Sequence, residues 1–303
     1  MKRLRPLNNQ MGGTLGDHFD LSREVDEAWL GAKLRLTTFI DTIGIACKSS
    51  KYRALFDRVK TYCLFIGYPR SGHSLISSLL DAHPNALMAH RLNSLKYIRA
   101  GFTKTELFYL LLRNSQRLAK TGRKLTGYRY TVPHQWQGQF QTLHVIGDQE
   151  GKGTTQWLEA DAALLPRLLD MKTIHIKFIH VIRNPYDNIS TWANRTHRSL
   201  AYTIRRYFSL CRTIAQLKAS INEGDVIDVR YETFLDSPET GLSELCHCLG
   251  LKATCDYLAD CAGIVYQSPH QSRHDAPWTP ELIDTVKHQL DGFHFLEGYT
   301  YDE

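Results

Sequence analysis

No apolar run in the 303-residue chain is both long and free of charge. The most apolar early stretch, Ala28 to Cys47, holds Lys33, Arg35 and Asp41. In a bilayer each of those charges costs about 2.5–3.5 kcal/mol, so neither a signal peptide nor a membrane anchor is expected. Cysteines are few: seven, an odd and scattered set. That argues against a disulfide framework and suits the reduced thiols of a cytoplasmic protein. Zinc spacing is missing as well. Cys246, His247, Cys248, Cys255 and Cys261 fit no standard ligand pattern, and Cys246 and Cys248 face different sides of one helix, so no metal is expected. Long Lys/Arg runs are lacking, and the net charge of +6 is mild. This balance argues against a nucleic-acid arm and suits a small anionic ligand. No internal repeat occurs at solenoid or propeller spacing.

What is present is enough apolar sequence, 43% against 22% charged, to build a sizeable core. Residues 1–58 read as an N-terminal helical extension. Gly12, Gly13 and Gly16 mark a loose start, and amphipathic helices are expected between Leu21 and Cys47. Residues 59–303 read as the main domain, where short β-rich runs alternate with helical periodicity. Strands are expected at Tyr62–Gly67, Ala86–Ala89, Leu143–Gly147, Ile174–Ile182 and Val226–Val229. Helices are expected over 75–82, 103–120, 154–170, 186–221 and 234–249, with a long aromatic loop over 122–141. This order predicts an α/β fold of three layers, a central parallel sheet flanked by helices. Ligands of such sheets bind beyond the carboxyl ends of the strands. The loops after Ile66, Ala89, Ile146 and Ile182 are therefore the ones to watch.

The first of these is Gly67-Tyr68-Pro69-Arg70-Ser71-Gly72-His73-Ser74, between a strand and a helix. Its glycines let the backbone curl, so that successive N–H groups and the helix N-terminus face an anion. The spacing nearly matches a nucleoside-triphosphate loop, but His73 stands where that loop needs lysine, and Arg70 brings the cation earlier. The second is Arg183-Asn184-Pro185-Tyr186-Asp187, also after a strand. Asn184 suits an N-cap and Pro185 the first helical position. Arg183, with a hydroxyl two turns into the helix at Ser190 or Thr191, can hold a second phosphate. A triphosphate-hydrolysing enzyme usually carries an acidic magnesium ligand where Arg183 stands.

Together these segments resemble the sulfotransferases that use 3′-phosphoadenosine 5′-phosphosulfate (PAPS). The likeness covers roughly 62–301, and His73 departs from the threonine usual there. It implies a fold like that of P-loop NTPases, with backbone N–H groups of Ser71, Gly72, His73 and Ser74 and the Ser74 hydroxyl on the 5′-phosphate, and Leu75 also in the cofactor site. It implies Arg183 and either Ser190 or Thr191 on the 3′-phosphate, Tyr231 of Arg230-Tyr231-Glu232 against adenine, and Arg273 in a late basic loop. By the same resemblance, in-line transfer to a hydroxyl or amine would place Arg70 near the bridging oxygen. His90 would act as base with Asp148 in reserve, and Lys152 would assist the sulfuryl group. The expected partner is a small-molecule acceptor, with no nucleic acid and no membrane. A P-loop kinase or NTPase-like enzyme is the competing reading.

Overall fold

The computed structural model describes residues 44–125, 127–171, 173–266 and 270–302. The helices expected between Leu21 and Cys47 lie, up to residue 43, outside the described residues. The fold is carried by the unit Lys48–Glu303.

In chain order the strands are β1 (Thr61–Ile66), β2 (Ala86–His90), β3 (Lys124–Leu125), β4 (Tyr128–Arg129), β5 (Val145–Gly151), β6 (His175–Ile182) and β7 (Val226–Arg230). Five of them form one sheet in the order β2-β5-β1-β6-β7. Every pairing in that sheet is parallel. All six residues of β1 are buried, as a central parallel strand requires. Its side chains alternate between two cores. Tyr62, Leu64 and Ile66 pack with Phe108, Tyr207 and Phe208, while Cys63 and Phe65 pack with Leu75, Ile76 and Leu79. The three-layer α/β expectation is thus what the chain adopts.

Helices over the sheet include α1 (His73–Leu80), α2 (Lys104–Lys120), α3 (Lys152–Ala160), α4 (Pro185–Thr196) and α5 (Leu200–Ser220). Three segments expected to be helical, 186–221 only mostly so, each hold two helices. Residues 154–170 break after α3 at Asp161, whose backbone is extended and whose carboxylate accepts from the Ala163 N–H. Residues 186–221 break at His197, left-handed with φ +53°, before Ser199 caps α5 by accepting from the Tyr202 N–H. Residues 234–249 break at Ser237–Pro238, where proline opens the next helix. Apolar spacing continues through Asp161, whereas 194–199 are all polar and 236–241 hold Ser237-Pro238; in each case a local polar or proline device stops the backbone ladder. The segment expected as a long loop over 122–141 contains the β3–β4 hairpin.

One buried carboxylate ties that hairpin to the sheet. Asp81, at the C-terminal end of α1, accepts from the Met88 N–H (2.6 Å), the Gly138 N–H (2.8 Å), Ser115 Oγ (2.8 Å) and Arg123 Nη1 (2.7 Å). Its side chain and that of Arg123 are 0% and 1% exposed. Removing one partner of a buried pair strands the other charge away from water. Arg123→Ala should therefore lower the unfolding free energy by about 3–5 kcal/mol in urea titration, whereas exposed Lys124→Ala should change it by less than about 0.5 kcal/mol.

Candidate active site

Because the sheet is parallel, the loops leaving β1, β2, β5 and β6 all emerge at one edge. The β1 loop is fastened from outside: the Gly67 N–H donates to Thr155 Oγ1 of α3 at 2.9 Å. Arg70 sits in the left-handed region at φ +71°, a strained conformation for a non-glycine residue. Gly72 follows at φ +99°, and a Cβ built there would lie 2.3 Å from the Tyr231 ring. Glycine is required at this position both for its dihedral and for the aromatic that covers it. Ser71 is buried, and its Oγ lies 2.7 Å from His73 Nδ1. Burial, then the charges of His90, Arg91 and Arg70, push His73 down to about 3, so it is neutral at physiological pH. The loop's positive charge therefore comes from Arg70 and the α1 N-terminus.

The second loop touches the first. Arg183, 7% exposed, donates from Nη1 to the Arg70 carbonyl and to Thr191 Oγ1, both at 3.3 Å, and from Nη2 to the His270 carbonyl. Thr191 Oγ1 donates to Ser272 Oγ at 2.8 Å. Ser190 points elsewhere: its hydroxyl donates to the Tyr186 carbonyl and accepts from Trp278 Nε1. The pair brought together is thus Arg183 with Thr191. As the sequence implies, Asn184 caps α4, accepting from the Tyr186 N–H at 3.0 Å. Arg273 is 2% exposed and turns to Asp187, which accepts from its N–H (2.9 Å) and its Nη1 (2.6 Å). Arg183 Nε and Arg273 Nε and Nη2 are buried donors with no partner among the described residues. Buried donors without acceptors are costly, so these three atoms are candidates for contact with a bound anion. Tyr231 lies over this site, its ring 5.9 Å from Arg183 Cζ. Glu232 holds the turn rigid, accepting from the Asn184 N–H (2.8 Å) and the Tyr299 hydroxyl (2.9 Å).

At the ends of β2 and β5 stand the proton-transfer candidates. Asp148 is fully buried and accepts from the Leu92 N–H (3.1 Å) and the Ser94 N–H (2.7 Å), so it secures the β2 loop. His90 is half-buried beside Gln149; burial and then the Arg91 charge push it down to about 4. Lys152 begins α3 with Nζ 5.8 Å from the Trp192 ring. Glu150 is the group the sequence reading passed over. Between Leu64 and Ile66 the register of β1 against β5 shifts from Asp148 to Gly151, a bulge that re-aims Gln149 and Glu150. The Glu150 carboxyl folds over Gly153, where a Cβ would meet its Oε1 at 2.4 Å. Burial raises its pKa to about 7, against the opposing charges of Arg91, Lys96 and Lys152 and with Asp148 adding to the rise.

The model of the sulfotransferase family matches residues 64–255. Among solved structures, the sulfotransferase STF9 from Mycobacterium avium is 12% identical with a TM-score of 0.48, covering 82% of this chain and 81% of that one. The sulfotransferase domain from the curacin biosynthetic pathway is 13% identical with a TM-score of 0.46, covering 77% and 98%. Mouse sulfotransferase SULT7A1 complexed with PAP is 10% identical with a TM-score of 0.45, covering 79% and 87%. No curated protein sequence matches this chain.

Gly72→Ala should destabilise the fold by about 1–3 kcal/mol, measured by chemical denaturation. Adding Tyr231→Ala should recover only the part due to the ring, since the left-handed dihedral remains.

Proposed function

The chain belongs to the sulfotransferase family, and from that premise we propose that it moves a sulfuryl group from PAPS to a hydroxyl or amine of a small acceptor by in-line displacement. The observation that carries the reading is the pair of touching anion sites. One is the Arg70 loop at the α1 N-terminus. The other is Arg183 with Thr191, where buried donors of Arg183 and Arg273 lack acceptors. Two such sites side by side fit a nucleotide with phosphates at two positions. Arg183, where a magnesium ligand would stand in a triphosphate-hydrolysing enzyme, disfavours that chemistry. Cytoplasmic residence is part of the proposal and rests on the odd, scattered set of seven cysteines in the sequence.

PAPS, when bound, supplies an activated sulfuryl group on a phosphate leaving group. The N–H groups of Ser71 to Ser74 and the Arg70 guanidinium gather the negative charge that grows on that leaving group, while the Leu75 N–H is taken by the Gly72 carbonyl at 3.0 Å. Arg183 and Thr191 fix the opposite end, and Tyr231 covers the base. Lys152, held over Trp192, steadies the sulfuryl oxygens. Asp148 and Glu232 position the two loops without meeting the substrate. The acceptor proton goes to Glu150 Oε2 or to His90, and their pKa values separate the two. A base works best when its pKa lies near the working pH, which favours Glu150. Below about 7 Glu150 is protonated and cannot accept; above it the carboxylate is free.

Arg183→Ala should weaken adenosine 3′,5′-bisphosphate binding by about 10- to 100-fold in calorimetry, the loss of a charge-assisted contact. Arg70→Ala should instead lower the transfer rate by about 10²–10³-fold. Unchanged binding in the first variant would overturn the site assignment. The pH profile of kcat/KM should rise to a plateau through about 7, and Glu150→Gln should abolish that limb. A limb near 4, surviving Glu150→Gln and lost in His90→Asn, would transfer the role to His90.

A further inference from the structure

We propose that His180 is a positioning residue for the transfer: held by Asp228, it seats Tyr68 and so the β1 loop, without touching the nucleotide itself. This rests on the sulfotransferase reading above, which makes the β1 loop the cradle of the donor's 5′ end.

A parallel strand buried on both faces is ordinarily built from Val, Ile and Leu. Among the buried residues of β6 only His180 is polar, and it is 0% exposed. In register it stands between Ile66, the last residue of β1, and Asp228 of β7. Its Nδ1 lies 3.1 Å from Asp228 Oδ1. A carboxylate can only accept, so Nδ1 carries the proton. Burial lowers the pKa of the ring and keeps it neutral, which leaves Nε2 as a bare acceptor. Lys218 of α5 holds Asp228 in turn, its Nζ 2.6 Å from both carboxylate oxygens and 4.6 Å from the centre of the Phe295 ring. Phe295 also packs edge-on to His180, with centroids 5.0 Å apart. The imidazole is thus fixed in place and in tautomer from outside the cleft.

The same imidazole meets the β1 loop. Gly67 packs on it so closely that a Cβ there would lie 3.4 Å from His180 Cδ2. The Tyr68 ring stands edge-on to it, with centroids 5.6 Å apart, and Tyr207 packs on Tyr68 at 4.4 Å. His180 Nε2 and the Tyr68 hydroxyl are both buried, and neither has a hydrogen-bond partner among the described residues. An acceptor and a donor on adjoining rings, each otherwise unpaired, are the pair through which His180 can hold Tyr68. Tyr68 lies two residues before Arg70, whose φ of +71° persists only where its surroundings impose it. An apolar side chain at position 180 would avoid the cost of a buried, unpaired nitrogen. The histidine therefore does more than fill the core: it sets the loop that presents Arg70.

The test compares adenosine 3′,5′-bisphosphate with adenosine 3′-monophosphate by calorimetry, since the two differ only in the phosphate that the β1 loop takes. In His180→Phe and in Asp228→Ala the bisphosphate should bind about tenfold more weakly, the scale of one hydrogen-bonded contact. The 3′-monophosphate should bind both variants as it binds the unaltered chain. Asp228→Asn, which keeps an acceptor for Nδ1, should restore the bisphosphate affinity. Without nucleotide, amide hydrogen exchange at Gly67, Tyr68 and Arg70 should quicken in the first two variants, while the urea midpoint of His180→Phe is not lowered. Asp228 is partly exposed, so Asp228→Ala carries the comparison if His180→Phe does not fold. Equal loss of affinity for both nucleotides would make His180 mere packing and overturn the proposal, as would full bisphosphate affinity or unchanged exchange at the loop. If the unaltered chain binds neither nucleotide, the sulfotransferase reading falls, and the exchange rates alone decide whether His180 seats the loop.

Discussion

Positive charge without enough acid to balance it, gathered at one edge of a parallel sheet, is the constraint that the rest of the structure serves. A parallel sheet sends every strand's carboxyl end the same way, so the loops after β1 and β6 must meet. They meet through Arg183, which donates to the carbonyl of Arg70. The loop that carries one cation thereby becomes a ligand of the next. Helix N-termini add partial positive charge without adding side chains that need their own partners.

Crowded cations repel, and the structure answers with acids, two of them buried, that bind backbone and guanidinium groups beside the two loops. Asp187 takes the N–H and guanidinium of Arg273, Glu232 takes the Asn184 N–H, and Asp148 takes two N–H groups of the β2 loop. None of these carboxylates neutralises Arg70 or Arg183. They fix the backbones that present those residues and leave the ligand-facing charge intact. His73 follows the same logic: burial first, and then its cationic neighbours, keep it neutral, so it shapes the loop through Ser71 without adding to the charge. Farther out, Asp81 and Arg123 hold the hairpin segment against α1 and β2.

Much of this was legible in the sequence. Tyr62–Gly67 reads as a strand because six apolar residues in a row suit a strand buried on both faces, and β1 is such a strand. Asn184-Pro185 reads as a helix start from capping chemistry alone, and the cap forms. The helix breaks were passed over by counting helical segments as wholes: 194–199 are all polar and Pro238 opens a new helix, and only at Asp161 does the apolar spacing continue through the break. Glu150 was hidden for a different reason. Strand alternation assigns a face by counting, and the bulge between Asp148 and Gly151 resets the count where it matters. The choice between Ser190 and Thr191 was equally beyond spacing. It depends on Trp278, distant in sequence, drawing the Ser190 hydroxyl away. Arg273 showed a similar limit: its loop was identifiable, but not the buried Asp187 that holds it.

The central claim is that two phosphate positions on one nucleotide are recognised at once, one by the Arg70 loop and one by Arg183 with Thr191. Calorimetric titration of the unmodified protein with adenosine 3′,5′-bisphosphate and with adenosine 5′-monophosphate isolates the second contact, because the ligands differ only in the 3′-phosphate. The account predicts at least about tenfold tighter binding of the bisphosphate, the value of one good charge-assisted contact. Equal affinity for the two would contradict it.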